Sequence, residues 1–297
     1  MVCVVAVGLA TGCSASVAGE SRPSQDNGLA LVTTLSEKPQ VITRSVPEPV
    51  IVPAVFLTDD ELAALPRPVI NTILPADLPQ AQPEDLLPLA AIPVNELTPG
   101  SIEPGGQPVL ALEADTNTVI EPITGRWTVV GQEPGWVRVM VPVGRRVLPS
   151  EADAPGEVNH AAVWVPADAV TLQDEEYRVV VSLSERTLTL YRGDREVATS
   201  SVGIGVESAT ETPLGLCTII ARVLIQTGDE ALLTSCQSED MDGFAGVNWA
   251  TIAIHEGYGF SLQSGGAVSA GCIRVTSAKF HQYLDDLRIG TPMIVIP

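Results

Sequence analysis

The sequence predicts a mainly β protein: a small β-barrel followed by a larger β-rich domain with one or two helices. Three observations carry this. From about residue 104 the apolar residues fall in short runs rich in Val, Ile, Leu and Trp, divided by turn residues. Aromatic residues are only 4% of the chain, so the cores have to be built from aliphatic side chains. Helical spacing of apolar residues shows after residue 275, where Phe280, Tyr283, Leu284 and Leu287 recur, with Thr276 or Ser277 placed to cap.

The chain has 297 residues, enough for one large domain or two ordinary ones. It carries 36 acidic and 16 basic residues, a net charge of -20. Such a chain repels phosphate backbones, which argues against a nucleic-acid partner. Lys38 and Lys279 are the only lysines, and no polybasic patch offers itself to an anionic membrane surface.

Taken in order, the chain opens on "MVCVVAVGLATGCSASVAGE". The apolar run Val2 to Leu9 is too short to span a bilayer as a helix. It ends in small residues leading to Cys13, and "ATGC" resembles a bacterial lipobox. Residues 1–12 are therefore expected to be a signal peptide, with Cys13 as the lipid-bearing first residue of the mature chain. No Lys or Arg precedes the apolar run, a departure from the usual signal that would fit a translation start further upstream. The other reading is an ordinary hydrophobic N-terminus. On the first reading the protein is exported to the cell envelope and held at the outer face of the cytoplasmic membrane through its lipid alone.

Residues 13–103 are expected to form an extended, Pro-rich spacer. Fifteen of the 24 prolines precede residue 110, and they interrupt every helix or strand pattern within a few residues. The Val, Ile and Leu content is high for a disordered segment, which leaves room for parts of it to lie along the folded domains. Residues 104–172 are expected to be the small barrel. "QEPG" between "TVV" and "WVRVMV" is a hairpin signal, and "GWVRVMVP … AVWVPADAV" resembles the bacterial Src-homology-3-type domains of envelope proteins. Residues 173–297 form the third region. It runs through "YRVVVSL", a "SERT" turn, "LTLYR", "REVATSSVGIGV", "TETPLGLCTIIARVLI", "WATIAIHEG" and a closing strand "TPMIVIP".

There are five cysteines: Cys3, Cys13, Cys217, Cys236 and Cys272. If the first two are used by the signal and the lipid, three remain. Exported chains tend to pair cysteines, and an odd count leaves one thiol over. Cys217 and Cys236, 19 residues apart, are a possible disulfide, which would make Cys272 the free thiol. The cysteines and the three histidines show no zinc-ligand spacing, and neither a metal nor another cofactor is expected.

A catalytic thiol needs a base, donors for an oxyanion and access for substrate. His255 ends the apolar strand "TIAIH", 17 residues before Cys272. The loop between them, with Gly257, Gly259, Gly265 and Gly266, is able to fold back. Gly271 lets the backbone turn beside the thiol, so amides there can face an oxyanion. Against this stand blander readings: an inert packed cysteine, a structural histidine, and Arg274 in a salt bridge. His160 is expected on a surface loop, His281 on a solvated helix face, and the acidic run Glu239, Asp240, Asp242 in a solvated loop.

"IHEG" followed by "SAGCIRV", with "TPLG" upstream and "IGTPMIVI" at the end, resembles the catalytic domain of the L,D-transpeptidase (YkuD) family, over about residues 173–297. The barrel and lipobox before it are similar to those of envelope-anchored members. The resemblance implies Cys272 as nucleophile and His255 as general base, oriented by a backbone carbonyl near Glu256 or Gly257. It implies the amides of Gly271 and Cys272 as the oxyanion hole, Ser269 as a turn-shaping or substrate-binding residue, and Arg274 as a brace or a ligand for a substrate carboxylate. The implied reaction is acyl transfer on peptidoglycan stem peptides, releasing D-Ala and forming 3→3 cross-links, with carbapenem-type β-lactams as covalent inhibitors. One position departs: the commonest motif reads Ser-His-Gly-Cys, and here Ala270 replaces the histidine.

Two competing classes remain. A thiol peptidase of the papain or caspase type is disfavoured, because the histidine comes first and only 17 residues away. A non-catalytic peptidoglycan-binding lipoprotein is favoured by Ala270.

Overall fold

A computed structural model describes residues 51–117, 122–206, 210–224, 230–257, 267–276, 282–283 and 286–297. Expectations for the signal segment, Cys3, Cys13, Gly259, Gly265, Gly266, Ser277, Phe280, His281 and Leu284 fall outside these residues. The fold is mainly β; a six-residue helix, α1 (Asp59–Ala64), is capped by Thr58.

Among the described residues, nine strands precede residue 175: β1 (Leu89–Pro93), β2 (Leu97–Ser101), β3 (Pro108–Glu113), β4 (Asp115–Asn117), β5 (Pro122–Thr124), β6 (Trp127–Glu133), β7 (Trp136–Met140), β8 (Ala162–Pro166) and β9 (Val170–Asp174). Seven of them form one sheet in the order β3-β2-β8-β7-β6-β1-β9. The β6–β7 hairpin closes at Pro134-Gly135, with Gly135 at φ +82°, as the "QEPG" signal predicts. Alternation along the strands sends Val129, Val137, Val139, Val163 and Val165 to one core. Leu110 and Leu112 of β3 and Val170 of β9 join the same core, so the two edges of the sheet curl round it.

The first sheet begins earlier than the expected boundary at 104. Residues 89–101, assigned above to the spacer, supply β1 and β2, each one place in from an edge of this sheet. Pro93 ends β1, where a missing N–H interrupts little. Upstream, Ile70, Leu74, Leu78 and Ala81 are buried, and Leu74 and Ala81 donate their N–H groups to Arg145 and His160. The prolines there punctuate a segment that lies along the fold.

The second sheet uses β10 (Tyr177–Ser182), β11 (Thr187–Arg192), β12 (Arg195–Ser201), β14 (Gly215–Leu224), β15 (Glu230–Gln237), β16 (Thr251–Glu256), β18 (Ile273–Val275) and β19 (Pro292–Ile296). Its order is β12-β11-β10-β19-β14-β15-β16-β18. Between these lie β13 (Ile204–Gly205) and β17 (Ala267–Ser269), which pair in parallel. The closing strand β19 inserts between β10, parallel to it, and β14, antiparallel to it. A disulfide joins Cys217 of β14 to Cys236 of β15. In the post-cysteine segment, Leu287 N–H donates to the Tyr283 carbonyl at 2.8 Å, an i→i−4 helical bond, and both side chains are buried.

One face of this sheet buries Val179, Val181, Leu188, Ile252, Ile254, Ile273 and Tyr283 in a second core. The other face lies against the first sheet. Leu216 and Ile294 pack on Val130, Met140 and Ala162, and Val143 packs among Ile220, Ala221 and Leu233. Thr128 Oγ1 sits 2.7 Å from Thr218 Oγ1, and an Arg126–Glu175 ion pair joins the same region.

Candidate functional site

The register of β16 and β18 brings the predicted pair together. These strands run parallel, with Ile254 opposite Ile273, His255 opposite Arg274 and Glu256 opposite Val275. Successive side chains alternate faces. Ile252, Ile254, Ile273 and Val275 therefore enter the second core, while Ala253 and Cys272 join the opposite, smaller cluster. By the same alternation His255 and Arg274 point to the face of Cys272. Cys272 stands one position before Ile273, so His255 lies on the diagonal. A strand spacing of about 4.8 Å and a rise of about 3.3 Å per residue put their Cα atoms roughly 8 Å apart, within reach of side chains that lean together.

His255 Nδ1 lies 2.8 Å from the Glu256 carbonyl oxygen. A carbonyl only accepts, so in the neutral ring Nδ1 carries the proton and Nε2 keeps the basic lone pair. Glu256 is one of the two carbonyl positions expected from the sequence. Cys272 is a free, half-buried thiol. Burial pushes its pKa above the ordinary thiol value. The backbone N–H of Ala253 and the positive charge of Arg274 act the other way, favouring thiolate.

The turn before the cysteine is held by hydroxyls. Gly271 has φ +100°, and a Cβ there would meet Ile252 Cδ1 at 2.8 Å and the Glu211 carbonyl at 3.2 Å, so only glycine fits. Ser269 Oγ donates to the Cys272 carbonyl at 2.5 Å, a bond across the turn. Thr210 Oγ1 donates to the Ser269 carbonyl at 3.0 Å, and Thr212 Oγ1 to the Gly271 carbonyl at 2.8 Å. Arg274 and Gly203 exchange backbone hydrogen bonds, both 2.8 Å. Ala270, where the family motif has histidine, is half-buried. A cleft of about 290 Å³ beside the turn is lined by Leu183, Ser184, Arg186, Ile204, Gly205, Glu211 and Thr212, not by Cys272 or His255.

Two expectations are overturned. The acidic run is not a merely solvated loop. Glu239 accepts from Gly156 N–H and Asn159 Nδ2, Asp242 from Ser150, and Asp240 from Glu211 N–H at 2.6 Å. Arg145, almost fully buried, donates to the carbonyls of Asp242 and Asn248. The carboxylates thus tie this loop to the first domain and to the threonine segment. Among the described residues no cluster of potential ligands could hold a metal ion. His160 is not on the surface either. It is 9% exposed, at φ +70°, and its ring packs where a Cβ on Gly215 would stand. Burial, with repulsion from Arg146 assisting, lowers its pKa to about 4 against a bond to the Leu214 backbone.

Sequence reasoning assigned no role to Thr210, Thr212 or Asp240. The signal for Thr212 was present in "TPLG", but its partner lies 59 residues away.

Residues 176–295 match the model of the YkuD L,D-transpeptidase catalytic domain. A Bacillus licheniformis protein named for that family is 31% identical over 121 residues, 41% of this chain and 66% of its own length, just under two thirds. Among solved structures, an L,D-transpeptidase from Mycobacterium smegmatis is 19% identical, with a TM-score of 0.33, over 55% of this chain and 91% of its own. One from Stackebrandtia nassauensis is 14% identical, with a TM-score of 0.31, over 42% and 57%. An L,D-transpeptidase in complex with imipenem is 20% identical, with a TM-score of 0.33, over 54% and 91%.

Proposed function

With residues 176–295 a catalytic domain of the YkuD L,D-transpeptidase family, we propose that this protein cross-links peptidoglycan stem peptides by acyl transfer through Cys272. The observation that carries the reading is the β16–β18 register. It sets His255 and Cys272 on one face of the sheet, and the 2.8 Å approach of His255 Nδ1 to the Glu256 carbonyl supports the reading of Nε2 as the base.

In this mechanism His255 Nε2 takes the Cys272 proton, and the sulfur attacks the carbonyl between a diaminopimelate-type residue and the terminal D-Ala of a tetrapeptide stem. The carbonyl oxygen becomes an oxyanion facing the amides of Gly271 and Cys272. Collapse breaks the amide bond, and D-Ala leaves with the proton from the imidazolium. A thioester on Cys272 remains. A side-chain amine of a second stem attacks it, gives a proton to His255 and takes the acyl group, forming a 3→3 link and restoring the thiol. Arg274 stabilises the thiolate or meets a substrate carboxylate. Carbapenem-type β-lactams acylate the same sulfur. The N-terminal segment, with Cys13 lipid-bearing, would hold the enzyme at the envelope.

Ala270 favours one alternative, a stem-peptide-binding protein without turnover. Intact-mass analysis of the purified chain with a carbapenem, beside tetrapeptide turnover, separates the two. The transpeptidase gives one adduct and released D-Ala, both abolished in Cys272→Ala. An adduct that persists in Cys272→Ala overturns the assignment, and binding of stem peptide with neither adduct nor turnover selects the alternative.

A further inference from the structure

We infer that Thr212 is a positioning residue of the acylation step, and that its hydroxyl sets the direction of the Cys272 N–H. The inference rests on the reading of Cys272 as a nucleophile. A trans peptide is planar, and its C=O and N–H point in opposite directions. The carbonyl of Gly271 and the N–H of Cys272 belong to the same peptide unit. Whatever holds that carbonyl aims that N–H.

Among the described residues, the side chain that holds this carbonyl is Thr212. Thr212 is 3% exposed, and its Oγ1 has two partners: Gly205 N–H at 3.0 Å and the Gly271 carbonyl at 2.8 Å. An amide can only donate and a carbonyl can only accept, so the hydroxyl proton must lie toward Gly271. The hydrogen bond therefore has a fixed polarity, and the Cys272 N–H is directed away from Thr212. Gly271, at φ +100°, has no side chain to resist rotation of this unit, so the hydroxyl supplies a restraint that the backbone lacks. Thr210 holds the unit two peptides earlier through the Ser269 carbonyl. The segment between the threonines is itself braced where Glu211 N–H donates to Asp240.

An oxyanion donor contributes only when it is aimed at the place where charge develops. Losing the hold on Gly271 misdirects the donor without removing it. Outright loss of such a donor costs roughly 100–1000-fold, and misdirection is expected to cost about tenfold or more.

The test compares two reactions of the same sulfur in the full chain. Acylation by p-nitrophenyl acetate passes through an oxyanion: sulfur attacks the ester carbonyl, p-nitrophenolate leaves, and a thioester remains. Alkylation by iodoacetamide displaces iodide and forms no oxyanion. Thr212→Val keeps the shape and removes the hydroxyl, Thr212→Ala is a second removal should the valine protein not fold, and Thr212→Ser restores the hydroxyl. Acylation is expected to fall at least tenfold in the valine or alanine protein while alkylation changes by less than about twofold, with serine recovering most of the acylation rate. Equal losses in both reactions, no loss in either, or a wild-type thiol that alkylates but never acylates would each overturn the proposal. Failure of the transpeptidase reading looks different: a wild-type thiol that acylates normally but never turns over a tetrapeptide.

Discussion

At the scale of residues, the site joins a thiol that resists ionisation to a histidine whose tautomer is set. Burial raises the Cys272 pKa, so unaided thiolate is scarce at neutral pH. The Nδ1 bond to Glu256 leaves His255 able to accept the proton on Nε2. His255→Gln is therefore expected to lower acylation of Cys272 at pH 7 by about 100-fold or more, the usual span for a positioned base. Its residual rate should climb only as pH passes above the ordinary thiol range, because a raised pKa delays the thiolate to higher pH. Stopped-flow acylation across pH 6–10 reads this, and a mutant profile superimposable on the wild type would remove His255 from the mechanism. Ala270 offers no second imidazole beside the pair, so in the proposed mechanism deprotonation falls to His255.

At the scale of elements, the docking of loops to strands carries its own pH dependence. His160 sits between the segment before β8 and Gly215 at the start of β14, neutral and buried, with its pKa lowered to about 4. Its unfolded value is about 6.5. The unfolded chain therefore takes up the proton first as pH falls. The contribution is complete above about pH 6.5 and is lost progressively down to about pH 4, amounting to about 3 kcal/mol at most. Denaturant midpoints at pH 7.5 and 5 should differ by less in His160→Gln than in the wild type, and an identical pH response would reject this account. The facing charges are Arg146, which opposes protonation, and the Leu214 backbone, which assists it. This histidine also shows what was legible. Strand alternation made "TIAIH" legible, and helical spacing made Tyr283 and Leu287 so, because periodicity is a local property. The closing strand was visible for the same reason, whereas the Cys217–Cys236 disulfide was only a possibility that the odd cysteine count raised. His160 looked solvent-facing among Gly, Asn and Pro, and the acidic run looked solvated, because their partners are backbone groups distant in sequence. Thr212 was read as part of a motif without its function, since nothing in "TPLG" names the Gly271 carbonyl.

At the scale of the whole molecule, the misplaced boundary at 104 has a mechanical consequence. In the order β3-β2-β8-β7-β6-β1-β9, the edge strands β3 and β9 are laddered only to β2 and β1. Both partners lie before residue 104. A fragment 104–297 keeps β6, β7 and β8 but strips the ladders from both edges, and it uncovers Trp127, which pairs with Ala91. Leu110, Leu112 and Val170 lose cover worth about 1.5–3 kcal/mol each, and the deleted Leu74 and Leu78 had packed on the same core. The total approaches the whole stability of an ordinary domain, about 5–15 kcal/mol. The loss reaches the second sheet, because Leu216 of β14 and Ile294 of β19 pack on Val130, Met140 and Ala162. β14 leads directly from the "TPLG" segment that grips the cysteine turn. Thermal melts by circular dichroism are expected to show a cooperative transition for residues 51–297, and for 104–297 a midpoint lower by more than about 10 °C or no transition at all. Cysteine acylation should fall in parallel. Equal midpoints for the two fragments would mean that the Pro-rich segment is a spacer after all, and that β1 and β2 are dispensable to the sheet.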